Sequence, residues 1–100
     1  MAESTRKRLE ITVENGCCDG HFPGNPIVPA AAQAQWMLDL AAAHFATQSM
    51  QIDRLKLHRE LKPGTVVDII IEPKNNRLHA SVRDADGAYS EMFITATNPQ

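Results

Sequence analysis

Residues 20–29 read Gly20-His21-Phe22-Pro23-Gly24-Asn25-Pro26-Ile27-Val28-Pro29, and residues 30–46 continue as AAAQAQWMLDLAAAHFA. The junction between these stretches decides the architecture. Pro23, Pro26 and Pro29 each remove a backbone donor and fix φ, so the first stretch is neither strand nor helix. Phe22, Ile27 and Val28 offer apolar anchors, which favours an ordered loop held against a core over a floppy linker or an exposed polyproline ligand. From Ala30 onward strong helix formers follow one another without Gly or Pro, and a helix is expected over 30–46. Its faces are apolar apart from a few polar residues, Gln33, Gln35, Asp39 and His44, the pattern of a buried central helix.

On either side of this junction the period changes to two. Arg8 to Glu14 alternates, with Leu9, Ile11 and Val13 on one face, and predicts a half-buried strand. Four further strands are expected over Arg54–Leu61, Thr65–Glu72, Arg77–Arg83 and Tyr89–Thr97. Pro63-Gly64, residues 73–76 and residues 84–87 separate them with turn chemistry short enough for antiparallel hairpins. The expected fold is therefore α+β: one strand, one helix, then a four-stranded antiparallel meander with the helix packed on one face of the sheet.

The chain has 100 residues, which suits one domain spanning 1–100. A chain of this size buries roughly two-thirds of its unfolded surface on folding, so its own core is thin and oligomerisation is expected. Ten basic against twelve acidic residues give a formal charge of −2, which argues against a nucleic-acid binder. The only cysteines are the adjacent pair Cys17 and Cys18, so neither a disulfide framework nor a CxxC motif exists, and a reducing cytoplasm fits best. No signal region precedes the first strand and no apolar run is long enough for a membrane span, so a soluble protein is expected. His44, His58 and His79 share no ligand spacing, and neither a metal nor another cofactor is expected.

The loop resembles the GHFPGxPxxPG signature of the β-hydroxyacyl thioester dehydratases, hot-dog-fold enzymes of fatty-acid biosynthesis. Gly20, His21, Phe22, Pro23, Gly24, Pro26 and Pro29 stand at the family spacing. Residues 55–65 resemble the strand region that follows the family's central helix, so the likeness extends over most of the chain. Within the superfamily, Gln33, Trp36 and the short length are most similar to the small dehydratase-like proteins of aryl-polyene and related pigment pathways. The resemblance implies a hot-dog fold, a long central helix wrapped by a curved antiparallel sheet, and a dimer with the acyl tunnel between subunits.

Removing water from a 3-hydroxyacyl thioester needs a base for the α-proton, a site for negative charge on the thioester carbonyl, and an acid for the departing hydroxyl. His21 suits the base, because imidazole titrates near neutral pH and the surrounding prolines hold it in place. The first-turn amides at Ala30 and Ala31 carry partial positive charge, and the resemblance implies the oxyanion site there. It also implies a substrate site that includes Phe22, Pro23, Gly24 and Pro29. Trp36 reads first as packing, with a place at the substrate as the other reading. Two departures from the family pattern stand out. Ala30 replaces the usual Gly after the last proline, and Gln35 occupies the acid position fourteen residues after the histidine.

A carboxamide orients a hydroxyl but delivers no proton. Three remedies are open: Asp39, one turn further along the helix, assists; a homologous partner subunit supplies the acid in a heterodimer; or the reaction is double-bond isomerisation of an enoyl thioester, which needs no acid for a leaving group. The leading expectation is a dehydratase-like protein acting on a thioester of acyl carrier protein or coenzyme A, with His21, Gln35 and Asp39 as the catalytic set. The alternative is a non-catalytic acyl-thioester-binding or structural subunit paired with an active paralogue. Arg54, Lys56, Arg59 and Lys62 form a basic patch that would suit an acidic acyl carrier protein.

Overall fold

The computed structural model describes residues 4–12, 27–45, 49–75 and 77–97. It contains β1 (Thr5–Glu10), α1 (Ala30–Phe45), β2 (Ser49–Leu57), β3 (Val66–Lys74), β4 (Arg77–Asp84) and β5 (Gly87–Thr97). The strands make one antiparallel five-stranded sheet in the order β1-β3-β4-β5-β2. One helix lying on a curved antiparallel sheet is the hot-dog layout implied by the sequence.

The order of pairing corrects the meander. Only β3, β4 and β5 run as consecutive hairpins, whereas β2 crosses to pair with β5 and β1 pairs with β3. The turn at Pro63-Gly64 is thus not a hairpin. The segment from His58 to Thr65 leaves the sheet at the β2 edge and re-enters it near the β1 edge, crossing under the helix start, where Val28 N–H donates to the Leu61 carbonyl at 2.7 Å. Gly64, with φ +94°, makes the sharp return and donates to the Ile11 carbonyl at 2.7 Å. The first strand begins earlier than the alternation suggested, because its pairing with β3 starts at Thr5, and it ends earlier, at Glu10, with Ile11 packed in the core.

The sheet's inner face carries Val67, Ile69, Ile71, Leu78, Ala80, Val82, Met92 and Ile94, all buried. Against it lies a helix stripe of Gln33, Ala34, Met37 and Ala41 at the i, i+4 spacing that keeps residues on one face. Small alanines let the helix approach closely. Within the single chain the helix is buried on this stripe alone: Gln35, Asp39, Ala42 and Ala43 are exposed, which corrects the expectation of burial on nearly every face. Among the described residues, no helix is long and apolar enough to cross a membrane.

Candidate functional site

Helix α1 places two cavities at different points along its length. At its N-terminal end, a cavity of about 380 Å³ is lined by Ile27, Val28, Pro29, Ala30, Gln33 and residues 57–61 of the crossing segment. The first intrahelical bond runs from Gln33 N–H to the Pro29 carbonyl at 3.3 Å, so the N–H groups of Ala30, Ala31 and Ala32 have no acceptor within the helix. Pro29 has no side-chain acceptor to cap them, and the first turn contains no acidic residue. With no acceptor for them among the described residues, the first-turn amides at this end favour partial negative charge.

The geometry of this end rests on Gln33, whose side chain is buried in the core. Its Nε2 donates to the Val28 carbonyl at 3.3 Å, and its Oε1 accepts from Ser90 Oγ at 2.6 Å. Burying a carboxamide is costly unless both ends are paired, and here they are. The residue ties the segment before the helix to β5. Sequence reasoning treated Gln33 only as a mark of resemblance, although its position on the stripe of Met37 and Ala41 was the available signal of a buried polar contact.

The second cavity, about 390 Å³, opens between the helix and β1, with Trp36, Asp39, Leu40 and Ala43 on one side and Lys7, Leu9 and Ile69 on the other. The sequence-expected site residues are thus divided: Pro29 and Ala30 belong to the first cavity, Trp36 and Asp39 to the second. Trp36 is half-buried against the core, consistent with packing. Gln35 Nε2 donates to Asp39 Oδ1 at 2.7 Å, both side chains being exposed. Ala31, Gln35, Leu38 and Ala42 share a flank of the helix roughly opposite Trp36, Leu40 and Ala43, at ~100° per residue. His21, Phe22, Pro23 and Gly24 lie outside the described residues.

Two polar clusters were not foreseen. Arg59 Nη2 donates to Asp84 Oδ1 at 2.5 Å and to the Gly87 carbonyl at 2.8 Å, while its guanidinium stacks 3.8 Å from the centre of the Tyr89 ring. Tyr89 Oη donates to Asp84 Oδ2, and together the Tyr89 and Arg59 bonds hold the Asp84 carboxyl down at about 2. Burial, then the adjacent carboxylate, pushes the Tyr89 hydroxyl up. Arg59 is consequently committed to pinning the crossing segment onto the β4–β5 hairpin, which removes it from the free basic patch expected from the sequence. On the outer sheet face, His58 Nε2 and His79 Nε2 approach Glu91 Oε2 at 3.5 and 3.8 Å.

Comparison with known proteins gives consistent results. A family profile described as ApeI-like, ApeI dehydratase, matches residues 2–92. Among curated proteins, the 3-hydroxyacyl-[acyl-carrier-protein] dehydratase FabZ of Jannaschia sp. (strain CCS1) is 32% identical over 88 residues, covering 77% of this chain and 55% of its own length. FabZ of Ruegeria sp. (strain TM1040) is 28% identical over 81 residues, 70% of this chain and 51% of its own length, so the chain spans about half of these relatives. Among solved structures, the dehydratase heterocomplex ApeI:P from Xenorhabdus doucetiae superposes with a TM-score of 0.79 at 23% identity, over 98% of this chain and 90% of that one. The (R)-hydratase from A. caviae gives 0.71 at 12% identity, over 98% and 96%. At such identities these two likenesses speak for the fold.

Proposed function

The chain belongs to the ApeI-like dehydratase family, and from that premise we propose that it binds a 3-hydroxyacyl or 2-enoyl group carried as a thioester on acyl carrier protein or coenzyme A. His21 is the base that takes the α-proton, and the electron pair moves toward the thioester carbonyl. The open first-turn amides of Ala30 and Ala31 receive that charge. Departure of the 3-hydroxyl as water then needs a proton, and the group at the acid position is Gln35 with Asp39 beside it. The observation that carries this reading is the helix start at the mouth of the first cavity, whose first-turn amides have no acceptor among the described residues, directly after the GHFPGNPIVP loop.

A partner is part of the reading. β2 is a sheet edge with one side unpaired, and Ile52, Leu55 and Leu57 along it are 43%, 38% and 60% exposed. Gln35 lies on the exposed side of the helix, away from the buried stripe of Met37 and Ala41. A second hot-dog chain paired along β2 would cover both surfaces. The similar chain from Xenorhabdus doucetiae stands in a dehydratase heterocomplex, which favours a non-identical partner.

The second reading, a non-catalytic subunit of such a complex, is favoured by one observation: the Gln35 carboxamide is occupied by Asp39, so no carboxyl group stands alone at the acid position. Hydration of a 2-enoyl thioester by the purified chain, by its His21→Ala variant, and by each with a candidate partner subunit separates the two. Activity that appears alone or with the partner and vanishes in His21→Ala supports catalysis by this chain. Activity indifferent to His21→Ala makes the chain a structural subunit. Migration of the double bond without hydration points to isomerisation.

A further inference from the structure

The free edge at β2 has two chemically different sides. Ile52, Leu55 and Leu57 stand opposite Ile94, Met92 and Ser90 of β5 and therefore share the inner, helix-covered face. Arg54 and Lys56 stand opposite Phe93 and Glu91 and share the outer face with His58. Among the described residues Arg54 and Lys56 have no ion pair. The neighbouring acids are engaged: Glu91 lies against His58 and His79, and Asp53, at the bulge, accepts from Thr95 Oγ1 with Arg77 3.8 Å away. The other sheet edge, β1, reads Thr-Arg-Lys-Arg-Leu-Glu and presents Lys7 on the inner face, a charged edge unsuited to a dry contact.

Consider two copies of β2 paired antiparallel. Directly opposed residues point to the same face, so outward side chains meet outward side chains. If Leu55 faces its copy, Arg54 faces Lys56 of the other copy. If Leu55 faces Leu57, Lys56 faces Lys56 and Arg54 faces His58. If Leu57 faces its copy, Lys56 faces His58. Each register that stacks the exposed leucines therefore opposes basic side chains directly across the strand pair.

We propose that β2 is a heterotypic docking edge: its preferred partner is a non-identical chain of the same fold whose own edge strand carries apolar residues inward and Asp or Glu outward, opposite Arg54 and Lys56. This rests on the reading that the chain pairs along β2 and adds the chemistry that selects its partner. Like charges directly opposed weaken a strand pair and opposite charges strengthen it, so the cations discourage self-pairing and reward an acidic edge.

The test is a mixing experiment by native mass spectrometry and sedimentation velocity, with the full chain and its Arg54→Glu/Lys56→Glu variant. Alone at low salt, the native chain self-associates weakly, and raising the salt from about 0.05 M to about 0.5 M tightens it by screening the repulsion. Mixed in equal amounts, the two form heterotypic dimers beyond the statistical half share, the squared heterodimer concentration over the product of the two homodimer concentrations standing about tenfold above its statistical value. Should the charge reversal fail to fold, Arg54→Gln/Lys56→Gln serves instead: it removes the repulsion and self-associates more tightly than the native chain at low salt. A tight native homodimer insensitive to salt, with statistical mixing, overturns the heterotypic assignment and leaves pairing along β2 standing. A chain monomeric in every mixture overturns both.

Discussion

Ser90 Oγ donates a 2.6 Å hydrogen bond to Gln33 Oε1 across 57 residues of sequence, and the same carboxamide donates to the Val28 carbonyl, all in the protein interior. The pair joins the helix start, the segment before it and a central strand at one buried point. A polar contact so placed fixes the helix start at Ala30, where the chain lines the first cavity.

Gln33→Leu should therefore cost about 1–3 kcal/mol in denaturant unfolding at fixed protein concentration, because it strands the Val28 carbonyl and the Ser90 hydroxyl in the core. Adding Ser90→Ala removes one stranded group, so the double variant should be less destabilised than the two single losses summed. Strict additivity would show that Gln33 and Ser90 do not act as a pair.

The Asp84 cluster predicts acid sensitivity. In the folded chain its carboxyl titrates at about 2 against an ordinary 3.8, because Tyr89 and Arg59 hydrogen-bond the charged form. The unfolded chain thus binds the proton first as pH falls, and the contribution is fully present above about pH 4 and lost between about pH 4 and pH 2. Asp84→Asn should flatten the pH dependence of stability in that window, and Tyr89→Phe should shift the titration upward. A carboxyl resonance for Asp84 midway at its ordinary value would contradict the cluster.

Gly87 closes the β4–β5 hairpin with φ +132° and offers its carbonyl to Arg59. A Cβ meets no neighbouring atom there, so the cost of Gly87→Ala is conformational rather than steric crowding. About 1 kcal/mol or more should be lost in thermal unfolding. An unchanged midpoint would mean that the turn relaxes to negative φ.

Much of this was legible from local pattern. The absence of Gly and Pro after Pro29 set the helix, and alternation marked five strands, because both signals lie within a few residues, although β1 and β2 run over Thr5–Glu10 and Ser49–Leu57 instead of the expected Arg8–Glu14 and Arg54–Leu61. Pairing order was not legible. β2 and β3 follow one another in sequence, yet β2 joins β5, since the segment from His58 to Thr65 spans the sheet instead of turning back. That step depends on long-range contacts, Val28 with Leu61 and Ile11 with Gly64, which no local period encodes. In the candidate site, Pro29 and Ala30 fell where the proline-to-helix junction put them. Arg59 did not: a cation on an apparent strand face became a pin because Asp84, Gly87 and Tyr89 approach it from a hairpin 25 residues or more away.

The spacing of Gln35 and Asp39 sets the sharpest test of chemistry. Their side chains already meet at 2.7 Å, so Gln35→Glu places a second carboxyl within hydrogen-bonding distance of the first. Where a partner subunit covers this side of the helix, two carboxylates so close do not both ionise, and one retains its proton to higher pH. That is the property required of an acid for a departing hydroxyl. If His21 and the helix amides are a working half-site, the variant should hydrate 2-enoyl thioesters faster than the native chain, by up to roughly 100-fold, with a new acidic group in the alkaline limb of its rate profile. Gln35→Glu/Asp39→Asn keeps the introduced carboxyl but removes its like-charged neighbour, and the gain should shrink as that limb moves to lower pH. A rise in rate that survives His21→Ala, or no change in any variant when an active partner subunit is absent and present alike, would remove Gln35 and Asp39 from the site.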